Sequence, residues 1–263
     1  MLRRNRKSPQ DTDMLRRPLL ALAATLALAA PAAAFDPDGF TPAQRDAFGA
    51  AVRSYLLDNP EVLLEVIGKL EERQSAAQTA DDARLIAVNA EALFDNPASW
   101  VGGNPDGDVT LVEFVDYNCG FCRRAFPEVM ELAEFDPGVR LVMKELPILG
   151  PDSEIASRFA IAVLQTVGAD AYAEAHERMM ASEGRVGAAA VAAIAAEMGL
   201  DFDTITARMD SPDVTAVIAG NRALAQRLGI EGTPSFVLED RMLRGYLPLT
   251  ALLDAVDEVR AAN

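Results

Sequence analysis

Val109-Thr110-Leu111-Val112-Glu113-Phe114-Val115-Asp116-Tyr117-Asn118-Cys119-Gly120-Phe121-Cys122 joins an apolar run to a closely spaced cysteine pair. Val109 to Val115, interrupted only by Thr110 and Glu113, reads as a strand buried on both faces. From near Cys119 the spacing becomes helical, with Phe126, Val129, Met130 and Ala133 on one side. The chain has 263 residues and only these two cysteines. At the start of a helix, free backbone N–H groups stabilise a thiolate, which makes Cys119 the attacking sulfur and Cys122, a turn further in, the resolving one. Arg123 and Arg124 would favour that thiolate further if they face it.

Other roles fit a cysteine pair: a structural disulfide, a metal site, or two inert core thiols. A bridge closing so short a loop adds little chain-entropy stabilisation. Structural zinc takes four Cys or His ligands, whereas the chain offers two cysteines and one histidine. That histidine, His176, lies in the charged helical segment Ala173 to Arg178 and reads as an ordinary surface or packing residue. A Cys-His nucleophilic enzyme would require it to fold onto Cys119. The strand-to-helix context favours redox chemistry.

Downstream, Val139 to Leu146 reads as the next strand. Between about 151 and 228 lies a helical insert punctuated by Gly168, Gly199 and Ser211-Pro212. Ser235 to Leu238 and Met242 to Tyr246 form a short hairpin around Glu239-Asp240-Arg241, and Leu249 to Val259 a closing amphipathic helix. Strand, helix, strand, helical block, strand, strand, helix spells an α/β fold with a mixed sheet.

Upstream, turn formers from Gly102 to Asp108 mark a domain boundary, so that 101–263 is the main domain and 35–100 a helical arm. Thr41-Pro42 and Asn59-Pro60 both look like an N-cap followed by proline. Phe48, Val52, Tyr55 and Leu56 form one apolar stripe, Leu63, Val66, Ile67 and Leu70 a second that ends at Glu71, Glu72 and Arg73. A third, weaker helix runs from about Asp82 to Phe94. An arm this small cannot build its own core, so its stripes are covered by the main domain or by another copy of the chain.

Residues 1–34 read as an export signal: Arg16 and Arg17, an apolar stretch from Leu19 to Ala30, then Ala32-Ala33-Ala34 as a cleavage site before Phe35. Met-Leu-Arg-Arg occurs at Met1 and again at Met14, and a signal starting at Met14 has ordinary proportions. Cleavage would remove six basic and two acidic residues, leaving 18 basic, 38 acidic and a net charge of −20. So acidic a chain repels phosphate backbones and anionic lipid, which argues against nucleic-acid partners.

Glu113 to Cys122, followed far downstream by Gly232-Thr233-Pro234-Ser235-Phe236, resembles the DsbA family of periplasmic thioredoxin-like proteins over roughly residues 108 to 260. The resemblance implies a thioredoxin-like mixed sheet and a thiol-disulfide oxidoreductase that needs no cofactor. It also implies a cis Thr233-Pro234 bond that faces the disulfide, contacts the substrate backbone and keeps metal from the thiols. Glu113 would be the buried acid beneath the disulfide that exchanges a proton with Cys122. Phe121 stands where the strongly oxidising members have histidine, so the pair should be less oxidising than theirs. Gly-aromatic between the cysteines resembles disulfide isomerases and the related copper-tolerance (ScsC-type) proteins, whose N-terminal helical arm oligomerises. The expected partners are exported cysteine-containing proteins, a membrane redox partner that resets the disulfide, and other copies of the chain. From another class, the alternative is a copper-binding or copper-delivery module using the two thiolates.

Overall fold

The computed structural model describes residues 39–262; the export-signal reading falls outside them. Two compact units are present, one ending at Gly68 and the other beginning at Lys69.

In the first unit, α1 (Pro42–Asp58) starts as its sequence dictates. Thr41 Oγ1 accepts the Gln44 N–H while Gln44 Oε1 accepts the Thr41 N–H, a reciprocal capping box with Pro42 at the first helical position. Asn59 closes the helix, its side-chain amide donating to the Tyr55 carbonyl at 2.8 Å. No residue of α1 is buried. Helix α2 (Glu61–Val88) then runs unbroken for 28 residues before the short α3 (Ala90–Phe94). Two separate helices were expected across this stretch. They are one, because nothing from Ser75 to Ala83 breaks an alanine-rich helix.

The second unit is built on a five-stranded mixed sheet of β1 (Trp100–Gly103), β2 (Val109–Val115), β3 (Val139–Glu145), β4 (Ser235–Leu238) and β5 (Arg241–Arg244), in the order β1-β3-β2-β4-β5. β2 and β3 are parallel, joined through α4 (Gly120–Phe135); the other pairings are antiparallel. The edge strand β1 was not anticipated. Its two glycines read as turn formers, yet Gly102 and Gly103 pair with Leu141 and Arg140. The hairpin turn is also tighter than expected: Glu239 takes a positive φ of 51°, and β5 already begins at Arg241.

Both faces of the sheet are covered, so β2 and β3 are buried along almost their whole length, the charged Glu113, Lys144 and Glu145 included. On one face Leu111, Val115, Leu141, Met143, Phe236 and Leu238 meet α4 and α10 (Leu249–Ala262). On the other, Val112, Phe114, Val142 and Val237 meet Ile86 of α2, Leu93 of α3 and, further along the chain, Leu224. Between β3 and β4 come α5 (Pro151–Thr166), α6 (Ala169–Met180), α7 (Ala188–Glu197), α8 (Phe202–Met209) and α9 (Pro212–Arg227). Gly168 and Ser211-Pro212 start helices and Gly199, at φ 67°, ends one. No helix among the described residues is long and apolar enough to cross a membrane.

Candidate active site

Strand β2 ends by feeding a tight loop, Asp116-Tyr117-Asn118, into α4. Asp116 is fully buried and its carboxylate accepts from the N–H of Asn118 on one oxygen and of Ile148 and Leu149 on the other, all between 2.8 and 3.0 Å. Asn118 clasps Val186 in both directions, accepting its N–H at 2.8 Å and donating to its carbonyl at 3.1 Å. The loop is therefore tied to the segment after β3 and to the stretch before α7.

Cys119 is the N-cap of α4 and Cys122 lies in its first turn; both are free thiols, 7% and 0% exposed. Their proton affinities are driven apart. The Cys119 thiol is lowered to about 5, chiefly because the Cys122 S–H donates to its sulfur. Thr233 and the backbone N–H groups of Cys122 and Phe121 add to this, against a desolvation that works the other way. The same hydrogen bond holds the Cys122 proton and, with burial and the nearby Glu113 charge, raises that thiol far above its ordinary value. As a thiol, Cys119 Sγ donates to the Thr233 carbonyl at 3.1 Å; as a thiolate it has the otherwise unpartnered Thr233 hydroxyl at hand.

All five residues singled out from sequence meet here or just beneath. Thr233-Pro234 is a cis peptide bond and delivers the Thr233 carbonyl to Cys119. Glu113 is 3% exposed, Oε1 lacks a hydrogen-bond partner, and burial followed by the charges of Glu145 and Cys119 pushes its carboxyl up to about 8. The two arginines do not act as expected. Arg123 donates to the carbonyls of Tyr117, Ser182 and Gly184 at 2.7 to 2.8 Å, and Arg124 stacks on the Tyr246 ring at 4.3 Å.

Sequence reasoning missed a second buried acid. Glu145, at the end of β3, accepts hydrogen bonds from Tyr117 at 2.8 Å and Tyr172 at 2.6 Å, and burial raises its carboxyl to about 7. Its signal was weaker than that of Glu113, because Arg140 and Lys144 already interrupt the apolar pattern of β3. His176 is not a surface residue. It is buried, packs against the rings of Tyr117, Phe126 and Tyr172, and places Nδ1 2.9 Å from the Tyr117 hydroxyl.

A sequence model of the DSBA-like thioredoxin domain matches residues 110–257, over half of the chain. The protein belongs to the DSBA-like thioredoxin family. A separate model, the N-terminal domain of the copper resistance protein ScsC, matches residues 44–77. Among solved structures, this DSBA-like chain is 47% identical to a thioredoxin-like oxidoreductase from Silicibacter pomeroyi, with 66% of this chain and 98% of that one covered and a TM-score of 0.63. ScsC of Proteus mirabilis in a transitional conformation is 29% identical, with 87% of this chain and 100% of that one covered and a TM-score of 0.62. The Na(+)/H(+) antiporter NhaA of Herminiimonas arsenicoxydans is 29% identical over 207 residues, 74% of this chain and 31% of that protein. The DSBA-like chain thus spans about a third of that relative's length. Fold and relatives together support a thiol-disulfide oxidoreductase.

Proposed function

We propose that this chain is an exported, periplasmic enzyme that oxidises or isomerises protein disulfides by exchange at Cys119-Gly120-Phe121-Cys122. The reading rests above all on the asymmetry of the two sulfurs: Cys119 caps α4 beside Thr233, where its thiol is lowered, and Cys122 is fully buried near Glu113, where its thiol is raised. In isomerisation, the Cys119 thiolate attacks a substrate disulfide and forms a mixed disulfide, releasing a substrate thiolate. A second substrate thiolate then attacks that bond and returns Cys119 reduced. If the substrate stalls, Glu113 takes the Cys122 proton and the Cys122 thiolate closes on Cys119, releasing the substrate reduced. Oxidation runs the same steps backwards, starting from the Cys119–Cys122 disulfide, with Glu113 returning the proton to Cys122.

Thr233 and Pro234 would pair with an extended substrate backbone. Phe121, between the two cysteines, and Ile148 and Leu149, whose N–H groups Asp116 holds, are 60%, 42% and 45% exposed and would offer it apolar surface. Residues 35–100 would act as a helical arm for self-association, and 101–263 as the thioredoxin-like domain with its insert at about 151–228. A membrane partner would reset the disulfide. Copper held by the two thiolates is a poorer fit, because a metal would have to displace the proton that Cys122 holds beside a buried carboxyl.

The test is to react Cys122→Ser with a scrambled-disulfide protein. A mixed disulfide should accumulate at Cys119, and wild type but not Cys119→Ser should restore substrate activity. Wild type that forms no adduct and rescues nothing, yet binds Cu(I) stoichiometrically, would overturn the proposal in favour of the copper reading.

A further inference from the structure

Behind the sulfurs, four polar side chains are sunk in the apolar interior. Glu145 and His176 are each 3% exposed, Tyr172 1% and Tyr117 0%. Tyr117 and Tyr172 both direct their hydroxyl protons at Glu145 Oε1. The Tyr117 hydroxyl stands between Glu145 Oε1 and His176 Nδ1; once Glu145 is protonated the hydroxyl turns its proton to Nδ1, and the ring then carries its own on Nε2. Nε2 has no protein partner, and His176 lines a cavity of about 340 Å³ together with Trp100, Phe126, Met130, Ala173, Glu174 and Glu177. At the inner end, Glu113 stands opposite Met143 and Glu145 opposite Val115 on adjacent parallel strands, so both carboxyls project from the same face. Each keeps one oxygen without a partner, Glu113 Oε1 and Glu145 Oε2. Burying so many polar groups is costly where an apolar core would serve.

We propose that Glu145, Tyr117 and His176 form a proton wire from Glu113 to this cavity, letting the acid that serves Cys122 exchange its proton with solvent. The wire rests on the disulfide-exchange reading. After Glu113 has taken the Cys122 proton, it passes a proton to the Glu145 carboxylate. Glu145 hands it to the Tyr117 oxygen as Tyr117 gives its own proton to His176 Nδ1 and the buried Nε2 releases its proton to a water admitted from the cavity. The imidazole goes from the Nε2–H to the Nδ1–H tautomer, each proton moves one place, and no electrons are transferred. The titratable groups on this face are Glu113, Glu145, Asp116, Tyr117, Tyr172, His176 and the two cysteines. Lys144 projects from the other face, to the Ala92 carbonyl and Ser99 hydroxyl. Burial lowers His176 to about 4, so it relays as a neutral ring. Glu113 at about 8 and Glu145 at about 7 are close enough to share a proton cheaply.

Stopped-flow resolution of a Cys119 mixed disulfide by Cys122, in the full chain, tests the wire. Tyr117→Phe keeps the ring and cuts the wire; resolution should slow by about tenfold or more, with the thiolate absorbance of Cys119 titrating as in wild type. His176→Ala should slow likewise, and added imidazole should restore the rate. 1-Methylimidazole fills the same space but cannot pass a proton between two nitrogens, so it should not. Wild-type rates in both variants, or equal rescue by the two compounds, would overturn the wire. Failure of wild type itself to resolve the adduct would instead overturn the exchange reading.

Discussion

At Glu113 the burial that makes the carboxyl a usable acid also makes it a liability at high pH. Its affinity for a proton is raised from 4.5 to about 8, so the unfolded chain ionises first as pH rises. The stability linked to the protonated form is therefore complete below about pH 4.5 and is lost as pH climbs through about 8. Glu145, raised to about 7, adds a loss of the same sign. His176 acts at the other end: lowered from 6.5 to about 4, it contributes stability above pH 6.5 that is lost as pH falls through about 4. In the reduced enzyme the lowered Cys119 thiol opposes Glu113 over much of the same range, so the effect is cleanest in the disulfide form. Disulfide-form Glu113→Gln should lose less unfolding free energy than wild type between pH 5 and 9 in denaturant titrations, by an amount on the order of a few kcal/mol. Parallel losses in the two proteins would show that Glu113 is not a buried acid.

Beside the packing of Ile86, helix α2 is tied to the sheet by a bidentate contact: Arg244 of β5 donates to both oxygens of Asp82 at 2.8 Å, and Gln78 of the same helix donates to Asp82 at 2.9 Å. Arg244 accordingly lowers the Asp82 carboxyl. Asp82→Asn should cost about 2 kcal/mol, a charge-assisted hydrogen bond traded for a strained amide one. Amide exchange should quicken from Ala83 to Val88 while β2 stays protected; unchanged exchange there would show that Ile86 and its apolar neighbours hold the helix alone. This anchor was invisible in sequence, since a pairing across 162 residues leaves no local pattern. Elements with strong periodicity or caps were legible: α1 from Thr41-Pro42, β2 and β3 from their apolar runs, α9 from Ser211-Pro212. Strand β1 was hidden because four residues ending in Gly-Gly carry no alternation. Cys119, Cys122, Thr233 and Pro234 were legible because spacing and family likeness carry them. Glu145, Tyr117, Tyr172 and His176 were not read as a cluster, because they come together only through the crossing of β3, α6 and the loop before α4.

For the whole molecule, apolar residues of α2 such as Leu63, Ile67 and Leu70 are 49%, 50% and 54% exposed at helical spacing, a surface of the kind that marks a protein–protein contact. If the arm joins copies of the chain, Leu63→Glu with Ile67→Glu should turn a concentration-dependent oligomer into a monomer in sedimentation velocity, with the Cys119 thiolate titrating unchanged. A wild type that sediments as a monomer at every concentration would rule that role out. Equilibration with graded glutathione buffers, read by thiol mass labelling, asks whether Cys119 and Cys122 form a redox pair poised for exchange with other proteins. A lowered Cys119 thiol favours the reduced form, while Phe121 lacks the cation that histidine would supply. The prediction is one two-electron transition at a potential between about −270 mV, as in thioredoxin, and about −120 mV, as in the strongest oxidant of this class. A pair that stays fully oxidised or fully reduced across that whole range would contradict it.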